Sequence, residues 1–158
     1  MDTGLRWVLE PGEMPAYVGP LLLDTHIWLW YLEGNEERLG SDVRVLLERI
    51  GALGRLRVSD ISYWEVAVKT AKRKLVLSID PAVWLSRAEK APGIQFVPLE
   101  RDVLFLSTRL HGATHSDPAD RMLMATGQLF DMPIVTADAV MIDYAAANPG
   151  TRVVDARA

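Results

Sequence analysis

Short apolar runs alternate with helical stretches along most of the chain, and this alternation restricts the fold more than any other feature. Strand-like runs are LLL at 21–23, LRV at 56–58, IQFV at 94–97, PIVT at 133–136 and RVV at 152–154. Between them lie helical stretches at roughly 25–33, 41–51, 60–73, 80–90, 100–111, 117–130 and 137–147. Several have clear start signals. Ser59 or Asp60 can cap the third, and Asp-Pro at 80–81 and at 117–118 sets an N-cap aspartate before a proline in the first helical position. Strands alternating with helices predict a three-layer α/β/α fold around a central, mainly parallel sheet of four to five strands. Its crossovers are expected to be right-handed.

Residues 1–19 have no clear period and carry Pro11, Gly12, Pro15 and Gly19. They read as an irregular N-terminal extension, with the folded domain spanning 20–158. The ordered pattern begins just after Met14, which makes Met14 a candidate native start beside Met1. A chain of 158 residues, 49% hydrophobic and 24% charged, has material for one sizeable core and is not a disordered polymer. Cysteine is absent, which excludes disulfides and thiolate metal sites and fits a cytoplasmic setting. No apolar run approaches the roughly 18 residues that span a bilayer, so no membrane partner is expected.

The net charge of −4 does not mark a nucleic-acid binder. A carboxylate cluster around a divalent cation gives such an acidity, and so does an ordinary soluble surface. The positions of the acids are more informative. The first strand runs into Asp24, and the fourth runs through Thr136 and Ala137 into Asp138. In an open parallel sheet, ligands bind beyond the carboxyl ends of the strands. Both aspartates also suit the N-cap of the following helix, and the two roles are compatible.

Glu65 follows Ile61 by four residues and precedes Val68 by three, so it lies on or beside the apolar stripe of its helix. It is either a buried carboxylate or a marginal one paired with Lys69 at i+4. Asp120 has Leu123 and Met124 at i+3 and i+4, on the core side of its helix's first turn, while Asp117 is the natural N-cap. Four acids brought together would repel one another. The usual relief is a hard divalent cation, Mg²⁺ or Mn²⁺, which completes its shell with water and phosphate oxygens. That combination suggests metal-activated water attacking a phosphodiester.

LLLDTHIWLW, SYWEVAVKTAKRKLVL, HSDPADRMLMATG and PIVTADAVMIDY, in that order from about Leu21 to Tyr144, resemble the four motifs of a PIN domain, and within that superfamily those of a VapC-type toxin. The resemblance implies a Mg²⁺-dependent endoribonuclease of a type II toxin–antitoxin system. Asp24, Glu65, Asp120 and Asp138 match its metal-holding acids. Asp117 is an extra acid of the DPADR variant, and Thr136 is a supporting hydroxyl. The implied products are a 5′-phosphate and a 3′-hydroxyl. The implied partners are a cognate VapB-type antitoxin, an RNA substrate and a second copy in a homodimer. One position departs from the pattern: the family often has glycine before the KL of the second motif, where this chain has Arg73.

Lys69, Lys72, Arg73 and Lys74 could hold RNA phosphates near the acids or form a solvated helix end, with Lys69 the best candidate. Arg121 could meet phosphate or pair with an acid. Trp28, Trp30, Trp64 and Trp84 are read as core or dimer-interface residues before base-stacking ones. His26, His111 and His115 are weak general-base candidates, because metal-bound water needs no histidine. A catalytically inactive PIN-like binding module, and a metal-dependent phosphatase or DNA nuclease, stand as alternatives. The chain has no GxxxxGK[ST] loop, and DTHIW lacks the second aspartate of a haloacid-dehalogenase opening.

Overall fold

A computed structural model describes residues 14–110, 112 and 117–158. Five strands, β1 (Leu21–Leu23), β2 (Leu56–Ser59), β3 (Ile94–Val97), β4 (Ile134–Thr136) and β5 (Val153–Asp155), form one all-parallel sheet in the order β3-β2-β1-β4-β5. Among the described residues seven α-helices flank it: α1 (Thr25–Glu33), α2 (Ser41–Ala52), α3 (Asp60–Ala71), α4 (Pro81–Glu89), α5 (Arg101–Ser107), α6 (Pro118–Leu129) and α7 (Ala139–Ala147).

The central strand shows why its sequence is uninterrupted leucine. Leu21 and Leu23 belong to one core, with Ile27 and Trp28 of α1, Leu46 and Leu47 of α2, and Trp84 of α4. Leu22 belongs to a second core on the opposite face, with Leu123 and Met124 of α6 and Met141 of α7. A strand alternates its side chains between faces, so a strand covered on both sides needs apolar residues at every position. Complete burial of each leucine contributes roughly 1.5–3 kcal/mol. Ile134 and Val135 of β4 divide between the same two cores in the same way.

Local departures from the sequence reading have local causes. The fifth helix ends at Ser107 instead of 111. Ser107 and Thr108 return their hydroxyls to the carbonyls of Leu104 and Phe105, and the backbone tightens into three-residue bonds from Thr108 to Phe105 and from Arg109 to Leu106. The third helix ends at Ala71, two residues early, because Arg73 takes a left-handed conformation with φ of 56°. The Arg73 N–H bonds the Thr70 carbonyl and the Lys74 N–H bonds the Lys69 carbonyl at 2.8 Å. This is the Schellman closure that normally employs glycine. The substitution at Arg73 therefore changes the residue but not the turn.

Residues 14–20 hold a single 3-10 turn, Met14–Ala16, and are docked on the domain. Met14 is buried in the first core, and the Arg49 guanidinium donates to the carbonyls of Met14 and Tyr17. The expectations for residues 1–13, His111 and His115 lie outside the described residues. Among the described residues, no helix is long and apolar enough to cross a membrane.

Candidate active site

From β1 the chain builds outward in one direction through β2 and β3, and in the other through β4 and β5. The carboxyl ends of β1 and β4 therefore flank the topological switch point, where open α/β sheets form their ligand crevice. Asp24 continues β1, and its N–H still bonds the Val135 carbonyl of β4 at 3.0 Å. It is 3% exposed. One carboxylate oxygen, Oδ1, accepts the Thr25 N–H at 2.7 Å and so caps α1. The other, Oδ2, accepts the Thr136 hydroxyl at 2.6 Å. Thr136 Oγ1 in turn accepts the Asp138 N–H at 3.0 Å, and Asp138 Oδ1 caps α7 through Val140 and Met141. Asp24, Thr136 and Asp138 thus form one hydrogen-bonded line across the switch point.

Glu65 joins this line through a residue that the sequence reading missed. It is 7% exposed. The Thr25 hydroxyl donates to Glu65 Oε1 at 2.7 Å. That uses the hydroxyl's single proton, so in the 2.8 Å contact between Ser62 and Thr25 the Ser62 hydroxyl is the donor. Glu65 Oε2 pairs with Lys69 at 3.3 Å. Glu65 is thus the buried carboxylate and not a marginal one, and it still meets Lys69. A buried carboxylate is tolerated when it is hydrogen-bonded and paired. The available signals for Thr25 and Ser62 were Thr25's place directly after Asp24 and Ser62's place one helical turn before Glu65.

His26 of α1 meets the same line of residues. Its Nε2 accepts the Ala137 N–H at 3.2 Å, which places the proton on Nδ1, 3.5 Å from Asp24 Oδ2. The ring packs edge-on against Trp30 at 5.0 Å. Asp117 caps α6, accepting from Ala119 and Asp120 at 2.8 and 3.1 Å. Asp120 occupies the third position of that helix. Asp117, Pro118 and Ala119 share a cavity of about 270 Å³ with Trp64, Glu65, Val68 and Lys69 of α3, and with Lys72 and Lys74 beyond its end. Arg121 ties α6 to α5 by donating to the Ser107 carbonyl at 2.8 Å. Trp28 and Trp84 are core residues in edge-to-face contact at 5.1 Å, and Trp30 is half-buried. Trp64 is not core: it is 57% exposed.

The carboxylates and hydroxyls at the switch point offer oxygen donors, which fit a hard cation such as Mg²⁺ or Mn²⁺. Among the described residues, no three histidine or acidic side chains are grouped closely enough to hold a metal by themselves. A small donor set suits Mg²⁺, which takes one or two carboxylates and keeps several waters.

This crevice, with its acids at the ends of neighbouring parallel strands, defines a class. The model of the PIN domain family matches residues 21–147, and the chain belongs to that family. In particular, it is 27% identical over 118 residues to Ribonuclease VapC22 of Mycobacterium tuberculosis, covering 75% of this chain and 86% of that protein. Two solved structures share the fold. One is a DNA-bound VapBC from Salmonella typhimurium, with a TM-score of 0.61 and 16% identity, covering 85% of this chain and 96% of that one. The other is a toxin–antitoxin complex from Klebsiella pneumoniae, with a TM-score of 0.56 and 20% identity, covering 83% and 94%.

Proposed function

We propose that this protein is a Mg²⁺-dependent endoribonuclease, the toxin of a type II toxin–antitoxin system. The observation that carries the reading is the hydrogen-bonded line from Asp24 through Thr136 to Asp138 at the switch point, with Glu65 attached through Thr25. Similarity to a ribonuclease of the VapC group supports it.

Asp24, Glu65, Asp120 and Asp138 would surround the cation, one or two of them holding it directly and the others through its waters, with Asp117 nearby. The chemistry supplied by bound Mg²⁺ is activation of water and neutralisation of phosphate charge. The chain's own residues do the positioning. Thr136 orients the Asp24 carboxylate with His26 beside it, Thr25 orients Glu65, and Lys69 offsets the charge of Glu65 at the mouth of the cleft. In-line attack would leave a 5′-phosphate and a 3′-hydroxyl. The two solved neighbours are toxin–antitoxin complexes, one of them DNA-bound, which supports a cognate VapB-type antitoxin as partner, and the toxin itself would pair as a homodimer.

The test is cleavage of RNA, DNA and a small phosphoester by the purified protein with Mg²⁺ and with EDTA. RNA cleavage that requires Mg²⁺ and disappears in Asp24→Asn, with its circular dichroism intact, is the expected result. Full activity in that variant or in EDTA defeats the proposal. Preferential turnover of DNA or of the phosphoester assigns the site to another hydrolase.

A further inference from the structure

We propose that the cleft between α3 and α6 is a nucleotide-binding subsite, in which one unstacked RNA base lies on the Trp64 indole while Lys72 and Lys74 hold its flanking phosphates. The inference rests on the ribonuclease reading and names how the substrate is gripped. Trp64 directly precedes the buried Glu65, yet the residue is 57% exposed. Leaving a ring of this size in water forgoes most of the stabilisation its burial would bring. Its surroundings are those of a ring-binding slot. Val68, Pro118 and Ala119 line an apolar floor, and Lys69, Lys72 and Lys74 line the same cavity, where they outnumber Glu65, paired with Lys69, and Asp117, whose carboxylate caps α6.

Charge decides the occupant. Lys69 is engaged by Glu65. Lys72 and Lys74 are exposed and pair with no carboxylate among the described residues. An aromatic face bordered by unpaired cations matches a single-stranded nucleic acid, which presents a π-face and a phosphate at every residue. A duplex offers no unstacked base to such a slot. The volume of about 270 Å³ lies just below the roughly 300–1,000 Å³ of pockets for larger ligands and accommodates one planar ring system. Because Glu65 lines this cavity, a base seated on Trp64 sets which phosphodiester reaches the acids. Trp64 is thus a binding and register-setting residue.

The experiment measures the affinity of a fluorescein-labelled single-stranded RNA, and of the same strand with abasic sites, for the Asp24→Asn protein and for its Trp64→Ala and Trp64→Phe derivatives. Stacking of one base corresponds to roughly 5- to 150-fold in affinity. Trp64→Ala is expected to lose that much on intact RNA and little on abasic RNA, while Trp64→Phe keeps most of it. Lys72→Ala with Lys74→Ala should lower the salt dependence, by roughly 0.7 in log–log slope for each phosphate no longer neutralised. In the active protein, Trp64→Ala should raise KM far more than it lowers kcat and shift the cleavage positions. Equal affinity of the Trp64→Ala and parent proteins for intact RNA overturns the proposal. So does a loss confined to antitoxin binding, which would make the cleft a protein-docking site. Absence of any RNA cleavage by the unmodified protein defeats the ribonuclease reading itself, a result distinct from either.

Discussion

Thr136 donates a 2.6 Å hydrogen bond to Asp24, joining residues 112 apart in the chain. The same hydroxyl accepts the N–H of Asp138. One small side chain thereby orients one strand-end acid and anchors the backbone of the other. Replacing it with valine keeps the shape and removes both bonds, leaving a buried carboxylate oxygen and an N–H short of a partner. Thr136→Val should cost about 1–3 kcal/mol in urea unfolding and reduce RNA cleavage by at least about tenfold, the factor that 1.4 kcal/mol represents. Thr136→Ser should retain most of both. Equal activity of the valine and serine variants would show that this hydroxyl does not organise the site.

Mg²⁺ should stabilise the folded protein, since Asp24, Asp138 and Glu65 are joined in one hydrogen-bonded line only when β1, β4 and α3 are assembled. Linkage predicts a gain of about 2.7 kcal/mol at a hundred times the dissociation constant. A rise in Tm on adding Mg²⁺, reversed by EDTA and absent in Asp24→Asn, is the expected outcome. An identical rise in that variant would locate the bound ion elsewhere.

Arg73 occupies a left-handed turn position with φ of 56°. A side chain there costs roughly 1–2 kcal/mol, and glycine returns about 0.5–1 kcal/mol of that through its freer unfolded chain. Arg73→Gly should therefore stabilise the protein by about 0.5–1 kcal/mol, a rise in Tm of roughly 1–4 °C. Thermal unfolding decides it, and a lower Tm would mean that the Arg73 side chain contributes more than its backbone costs.

Asp155, at the end of β5, receives both arms of Arg157 at 2.9 Å. Those hydrogen bonds hold its carboxyl below the usual range, while partial burial opposes them. Its folded form thus releases the proton more readily than the unfolded chain, whose aspartate titrates near pH 3.9. The resulting stability is complete above that pH and is lost as pH falls through the lower folded value. Asp155→Asn should lower Tm slightly at neutral pH, with the difference from the parent closing from about pH 4 downward. A difference that persists at pH 2 would assign the effect to something other than this pair.

Much of this molecule is written locally. Helix starts at Asp24, Ser59, Asp80, Asp117 and Asp138 follow from capping chemistry that spans a few residues. The unbroken Leu21–Leu23 run specifies a strand covered on both faces, since each side chain must find an apolar layer. That Asp24 and Asp138 stand at strand ends was therefore legible from the sequence. Which acids meet was not. Placing β4 beside β1 is a pairing between residues over a hundred apart, and no local pattern encodes it. That pairing brings Thr136 onto Asp24. The rotation of α3 about its own axis is likewise set by packing. It turns Glu65 inward to the Thr25 hydroxyl and leaves Trp64, one residue earlier, facing water. Periodicity identified a helix with an apolar stripe, but only the neighbouring elements decided where that stripe ends. At this site, the difference separates a buried acid from an open aromatic face.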